Sequence, residues 1–177
     1  FELPADWPMV PRIGAADVAM ALPAGTAAAP VSDHLLGTLV HRVIQQVGLD
    51  TGESDEALGA RAAALVRPHE RLDLDDPGAT ASRVVAAFRA VAADPEVQAL
   101  YRSGHPWHEV PFSLATADAI VRGTIDCVVV VPDGRLVVLE FKTGRPRPEH
   151  RLQVDCYAEA VARLFPLSPV EVKLVYA

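Results

Sequence analysis

Two carboxylates and a lysine, Asp126, Glu140 and Lys142, could act together if the chain folds back between them. The segment 132–134 reads Pro-Asp-Gly, which favours a three-residue turn because proline suits its first position and glycine its left-handed position. In that register Asp126 stands opposite Glu140, and side-chain alternation puts Asp126, Glu140 and Lys142 on one face. A two-residue turn would point Asp126 away from Glu140 and put Pro132 within a strand. We therefore expect the three-residue turn.

This trio has two interpretations. Two acids with Cβ atoms about 4.5–5.5 Å apart cannot both stay ionised in a poorly solvated sheet unless a cation, typically a divalent metal, joins them. A lysine beside them suits a metal-bound water or a scissile phosphate. The surrounding runs 125–131 and 136–139 are almost continuously apolar, so charges there are costly, which favours a functional site. The alternative is a buried salt bridge between Lys142 and Glu140, and spacing alone leaves both open.

The net negative charge of the chain must be reconciled with any function that involves nucleic acid. The 177 residues carry 16 basic and 23 acidic side chains, a net charge of −7, whereas affinity for DNA comes mostly from phosphate neutralisation by Lys and Arg. Basic residues nevertheless concentrate near the trio, at Lys142, Arg145, Arg147, His150 and Arg151. We therefore expect that a partner supplies the affinity for DNA. The chain starts at Phe1 without an initiator methionine, which is consistent with a fragment of a longer polypeptide.

Length and composition indicate a cytoplasmic domain. A chain of 177 residues can bury a core as one domain. It contains no apolar run of the roughly 18 residues needed to span a membrane and no visible export leader. Cys127 and Cys156 fit reduced thiols. Two cysteines cannot supply a four-thiolate cluster, so we expect no iron–sulfur centre within this chain.

The order of elements indicates an α/β domain. Residues 1–31, rich in Pro and Ala, are predicted to form an arm or linker with a helical stretch near 15–22, and residues 32–177 the domain itself. Within the domain we expect helices at about 33–47, 53–66, 80–93 and 95–102, strands at about 107–115, 119–131 and 135–142, a helix at 148–165 and a strand at 170–176.

Two helices carry further candidates. Gln153 and Tyr157 stand four apart on one helix face, and from the pattern alone they predict a helix flank with a half-buried tyrosine. The apolar stripe Leu152, Cys156, Ala160 and Leu164 is expected to pack on the sheet. His41 alone is typical of a satisfied core or helix-surface group. Gly37, one turn earlier on the same face, lets the helix approach a neighbour closely.

These residues together resemble a known family. The segments Gly123-Thr-Ile-Asp126 and Glu140-Phe-Lys-Thr-Gly144, followed by Gln153 and Tyr157, resemble the RecB/AddA-type branch of the PD-(D/E)XK nuclease superfamily, above all the C-terminal nuclease domain of AddA-type helicase–nucleases. The resemblance runs from about Leu35 to Ala177. Within it, Gly37–His41 is similar to the family's helix with a metal-ligating histidine, and Glu109–Phe112 to its first core strand. The resemblance implies a restriction-endonuclease-like αβββαβ core, with a mixed central sheet, flanking helices and extra N-terminal helices.

The resemblance also implies metal-dependent DNA hydrolysis. It assigns Mg²⁺ or Mn²⁺ to His41, Asp126, Glu140 and the backbone carbonyl of Phe141. Because imidazole suits Mn²⁺ better than Mg²⁺, manganese should support activity at least as well. Lys142 would orient the attacking water and offset charge on the phosphate, and Gln153 and Tyr157 would line the cleft.

Other roles follow from the same resemblance or stay open. The implied partners are DNA, with single-stranded ends, the helicase portion of the same polypeptide and a second helicase–nuclease subunit, and exonuclease action is favoured over endonuclease action. Glu109 is either a surface carboxylate or a supporting ligand, and His150 stays outside the catalytic set. The alternatives are a catalytically quiet module that guides DNA or docks proteins, and a free-standing endonuclease of the same superfamily.

Overall fold

The computed structural model describes residues 11–15 and 31–177. The order of elements in this part of the chain is β1 (Arg12–Gly14), α1 (Val31–Val47), α2 (Asp55–Ala64), a 3₁₀ turn (Glu70–Asp73), α3 (Pro77–Ala92), α4 (Pro95–Ser103), β2 (His105–Ala115), β3 (Ile120–Val130), β4 (Leu136–Lys142), α5 (Pro148–Leu164) and β5 (Val170–Tyr176). The expected sequence of helices, three strands, a helix and a final strand is confirmed. The arm expected over 1–31 and the helical stretch near 15–22 fall mostly outside the described residues.

Side-chain caps set the starts of the helices. Asp94 accepts hydrogen bonds from the backbone of the first turn of α4, with Pro95 at the first helical position, as the sequence predicts. Asp76 caps α3 in the same way, so α3 begins at Pro77 and the expected start at residue 80 is wrong. A proline directly after a capping aspartate starts a helix, and Pro77 follows Asp76 in this way.

Five strands form one mixed sheet. β3 pairs antiparallel with β2 along almost its whole length and with β4, while β4–β5 and β1–β3 are parallel. The β3–β4 ladder joins Cys127 to Leu139 and Val130 to Leu136, and the Val131 amide donates to the Arg135 carbonyl around the turn. The register expected from the Pro-Asp-Gly turn is therefore confirmed.

One edge of β3 is split. Because β2 occupies one edge, β1 and β4 must share the other, with β1 pairing to residues 120–122 and β4 to residues 127–130. Between them, the backbone of residues 123–126 has no ladder partner on that edge within the part of the chain that the structure describes. Strands β1 and β4 thus diverge at Asp126, and the candidate residues lie at the opening between them.

Helices cover both faces of the sheet. A larger core packs α1, α2 and α3 on one face and a smaller core packs α5 on the other. Ile125 and Val128 both lie in the core under α5, whereas Cys127 lies in the core under α1. The regular in-and-out alternation of β3 is therefore interrupted at Asp126. No helix among the described residues is long and apolar enough to cross a membrane.

The buried face of α5 differs from the expected stripe. Leu152 is 38% exposed and Leu164 is 61% exposed, while Val154, Tyr157, Ala160 and Val161 are buried. The Tyr157 ring packs edge-on against Phe112 at 5.4 Å, which turns the Gln153–Tyr157 face toward the sheet. The stripe prediction is wrong for Leu152 and Leu164, because Tyr157 occupies the buried face, whereas Ala160 is buried and Cys156 packs against the core as expected.

Candidate active site

His41 ties helix α1 to the opening in the sheet. Its Nδ1 lies 3.0 Å from Asp126 Oδ1 and its Nε2 lies 3.0 Å from the Phe141 carbonyl oxygen. Close approach of α1 depends on Gly37, because a Cβ there would lie 3.1 Å from Thr143 Oγ1. The second oxygen of Asp126 accepts from the Phe141 amide at 2.8 Å. The Asp126 side chain thus joins β3 to β4 at the gap in the β3–β4 ladder.

The charge state of His41 follows from these contacts. Burial alone would lower the pKa of His41, but the hydrogen bond to Asp126 and the charges of Asp126 and Glu140 outweigh it and raise the pKa to about 9. Because the Phe141 carbonyl oxygen is an acceptor, Nε2 donates to it, and Nδ1 faces Asp126. The raised pKa favours a proton on Nδ1 while no cation is bound, whereas a divalent cation would displace that proton and take its place between His41 and Asp126.

Glu109 also enters this group. The β2–β3 register pairs His108 with Cys127 and Val110 with Ile125, which places Glu109 opposite Asp126. Glu109 has a φ of 51°, an uncommon left-handed conformation for a residue other than glycine. Such conformations persist where the surrounding structure enforces them, often at functional sites. Burial and the charge of Asp126 raise the pKa of Glu109, against the opposing charge of His41.

His41, Glu109 and Asp126 form a possible metal-ligand group. Each offers one ligand atom, and the three atoms lie within 4.8 Å of one another. Two carboxylates and an imidazole suit Mn²⁺, and carboxylates suit Mg²⁺. Glu140 is not a member of this group.

Glu140 and Lys142 begin a hydrogen-bonded chain that runs to α5. Lys142 Nζ donates to Glu140 Oε1 at 2.7 Å and to Gln153 Oε1 at 2.8 Å. Gln153 Nε2 then donates to the Tyr157 hydroxyl at 2.6 Å. The contact to Lys142 fixes which way the Gln153 amide faces. Burial and the charge of Glu140 raise the pKa of Tyr157, so its hydroxyl stays protonated.

The second oxygen of Glu140 is a candidate ligand for a cation. Glu140 is 2% exposed, and its Oε2 has no hydrogen-bond partner among the described residues. Burial, and next the charge of Asp126, raise the pKa of Glu140 to about 8 in spite of Lys142. A buried carboxylate oxygen without a partner is costly. The residues present therefore fit a divalent cation, which would satisfy Oε2 and offset the repulsion between the two acids.

A groove of about 860 Å³ opens onto these residues. Helix α1 contributes Gly37 and His41, β2 contributes Glu109, and the segment after β4 contributes Thr143 to Arg147. His150 also lines the groove, with its Nδ1 3.1 Å from the Tyr176 hydroxyl. Trp107 is 53% exposed and is not among the residues that line it. The groove thus reaches His41, Glu109 and Lys142 of the candidate site, whereas Asp126 and Glu140 are not among its lining residues.

The structure brings together all the residues that the sequence singled out. His41, Asp126 and Phe141 contact one another on the α1 side, while Glu140, Lys142, Gln153 and Tyr157 are linked on the α5 side. The sequence left the role of Glu109 open. The β2–β3 ladder starts at the pair Ala115–Ile120, next to the turn at 116–119. Counting residue pairs from there places Glu109 opposite Asp126.

Comparison with known protein families agrees with this geometry. Residues 17–177 match the PD-(D/E)XK nuclease superfamily, and the chain belongs to that superfamily. No individual curated protein matches the chain. The observed mixed sheet with flanking helices is consistent with the restriction-endonuclease-like fold, and the chain is a nuclease whose clustered acids and histidine suit metal-dependent hydrolysis of phosphodiester bonds.

Proposed function

We propose that the chain is a divalent-metal-dependent deoxyribonuclease, acting as an exonuclease on single-stranded DNA ends. In this proposal it is the nuclease domain of a cytoplasmic helicase–nuclease that processes double-strand breaks for recombination. The observation that carries the activity is the buried Glu140 oxygen without a partner, beside Asp126 and the Lys142 ammonium.

His41, Glu109 and Asp126 would hold the cation, together with the free oxygen of Glu140 and the Phe141 carbonyl. This set adds Glu109 to the ligands expected from the sequence. When bound, such an ion polarises a phosphate oxygen and lowers the pKa of a coordinated water. Because the Phe141 amide donates to Asp126 and the Phe141 carbonyl contacts His41, the backbone of one residue positions the two side chains relative to each other.

Lys142 supplies a fixed positive charge at the floor of the groove. Its ammonium is held between Glu140 and Gln153, so it is oriented before a substrate arrives. A cation placed where negative charge develops on the phosphate stabilises the transition state. Gln153 positions Lys142, and Tyr157 positions Gln153 in turn.

The helicase-linked setting and the end preference rest on the sequence. The spacing of Gln153 and Tyr157 and the Gly37–His41 segment resemble the AddA-type nuclease domains. An enzyme fed by a helicase receives unwound strands, which accounts for single-stranded ends as the substrate.

Cleavage of linear and circular single-stranded DNA tests the proposal. With Mg²⁺ or Mn²⁺ we expect degradation of the linear strand from its ends, an intact circle, and no reaction in a chelator. Asp126→Asn should be inactive. Glu159→Gln, which removes an exposed carboxylate that pairs, within residues 11–15 and 31–177, only with Arg163 on α5, serves as the control and should cleave normally.

The other outcomes contradict separate parts of the proposal. Cleavage of the circle would replace exonuclease action by endonuclease action. Metal binding measured by calorimetry without cleavage of either DNA would indicate a catalytically quiet module.

A further inference from the structure

The groove is positively charged although the chain is acidic. Among the residues that the structure describes, its lining contains two acidic side chains, Asp33 and Glu109, against six basic ones, Arg42, Arg67, Arg83, Lys142, Arg145 and Arg147. The whole chain carries a net charge of −7. A local excess of one sign in a concave surface raises the local concentration of oppositely charged ligands.

Three of these arginines are available to a ligand. Arg42 pairs with Glu70 and Arg83 pairs with Asp33. Arg67, Arg145 and Arg147 are exposed, and within residues 11–15 and 31–177 the structure gives none of the three an ion pair. A guanidinium without a carboxylate partner can bind phosphate oxygens through its planar fork of donors.

The backbone of Arg67 is anchored to α1, the helix that carries His41. Glu70 accepts two hydrogen bonds from Arg42, each 2.7 Å long, and also accepts from the Arg67 amide at 2.8 Å. Arg42 follows His41 directly in α1. The backbone of Arg67 is thus held at a fixed position relative to the candidate metal ligands, although its side chain is exposed.

Arg145 and Arg147 are anchored in a different way. They lie in the short segment between Lys142, at the end of β4, and α5, which begins at Pro148. Gly144 has a φ of 100°, which favours glycine and redirects the chain directly after the catalytic strand. His150, in the first turn of α5, extends the same lining.

The lining offers little to recognise bases. Phe141 is the one Phe, Tyr or Trp residue among the described residues that line the groove, and it is 2% exposed. Proteins that stack bases present exposed aromatic side chains. The groove therefore suits the sugar–phosphate backbone and not particular bases.

We propose that Arg67, Arg145 and Arg147 bind consecutive phosphates of one DNA strand and hold it over the metal site without regard to base sequence. This inference rests on the proposed function, since DNA is the substrate there. It differs from the expectation that a partner supplies all the affinity, because the chain's own groove binds the strand.

Salt-dependent binding of oligothymidylate to the whole chain tests this inference. Binding is measured in a chelator, so no cleavage interferes. Each phosphate contact to a single strand contributes a slope of about 0.7 in log affinity against log salt concentration. Arg67→Ala, Arg145→Ala and Arg147→Ala should each reduce the slope by about 0.7, and the triple variant by about 2.

Arg102→Ala is the matched control. Arg102 is exposed and lies outside the groove, and it hydrogen-bonds only to Gln98 among the described residues. The Arg102→Ala substitution removes the same charge at a position outside the groove, so the slope should stay unchanged. A mixed-sequence oligonucleotide should lose the same affinity as oligothymidylate in every variant.

Several results would overturn the inference. These are groove variants whose slope equals that of Arg102→Ala, losses that depend on base sequence, or a wild-type chain that binds no oligonucleotide at low salt. The test is separate from that of the proposed function. If the slopes fall as expected but the chain cleaves no DNA, the nuclease activity is refuted and the binding groove is supported. If the chain cleaves DNA but the slopes do not fall, the binding groove is refuted and the nuclease activity is supported.

Discussion

Replacing Lys142 with methionine separates a catalytic site from a structural ion pair. Lys142 Nζ is the hydrogen-bond partner of Glu140 Oε1 at 2.7 Å, and Glu140 Oε2 has no partner among the described residues. Without the ammonium, both oxygens of a side chain that is 2% exposed lack a donor in that part of the chain. The size of the resulting loss depends on whether Glu140 is charged.

Two costs can be compared. An unpaired buried charge destabilises a protein by about 3–5 kcal/mol, whereas a buried neutral group without a hydrogen bond costs about 1–3 kcal/mol. Burial and the charge of Asp126 raise the pKa of Glu140, and loss of the Lys142 ammonium raises it further, which favours uptake of a proton and the smaller cost. For a chain of this length, the free energy of unfolding should fall by about 1–3 kcal/mol and Tm by about 2–12 °C.

The cleavage rate should fall much further than stability. Removal of one preorganised group that stabilises transition-state charge costs about 10²–10³ in rate. The measurements are single-turnover cleavage of single-stranded DNA with Mg²⁺ or Mn²⁺, and urea unfolding of the same samples. Lys173→Met is the control, because Lys173 pairs with Asp94 and Glu96 outside the candidate site, and it should cleave at the wild-type rate. Wild-type cleavage by Lys142→Met would refute the mechanism.

Three further predictions concern metal binding, pH and packing. Asp126→Asn should stay folded by circular dichroism but lose the calorimetric heat of Mn²⁺ binding, and retention of that heat would contradict the ligand assignment. The hydrogen bonds from Arg42 lower the pKa of Glu70 from 4.5 to about 2, so this stabilisation is present above pH 4.5 and lost as pH falls toward 2. Glu70→Gln should therefore flatten the fall in urea stability over that range, and a profile parallel to wild type would refute this. Gly123→Ala places a Cβ 2.7 Å from Phe112 Cε1 and should cost about 1–3 kcal/mol in urea unfolding. Gly52→Ala, with nothing within 4 Å, is its control, and equal stabilities would contradict the packing.

The hairpin could be predicted from the sequence because its geometry is local. The Pro-Asp-Gly turn at 132–134 sets the register, and Gly134 has the expected left-handed φ of 88°. Once the register is fixed, period-two alternation and the apolar runs place Glu140 and Lys142 on one strand face. The partnership of Gln153 with Tyr157 followed from helical spacing for the same reason.

The remaining features depend on long-range packing. The left-handed conformation of Glu109 arises in β2 opposite Asp126, between the pairs His108–Cys127 and Val110–Ile125, and no local sequence signal sets its φ. The buried face of α5 depends on how Tyr157 meets Phe112 from another strand. The contact of His41 with the Phe141 carbonyl joins residues 100 positions apart. Spacing along the chain does not encode such contacts, although the resemblance to a nuclease family pointed to His41.

A crystal structure of the chain soaked in Mn²⁺, with anomalous scattering, tests the central claim most directly. The account predicts a manganese ion at the split edge of β3, bound by His41, Asp126 and at least one of Glu109 and Glu140. A site without anomalous density at a manganese concentration that supports DNA cleavage, or an ion bound elsewhere, would contradict it.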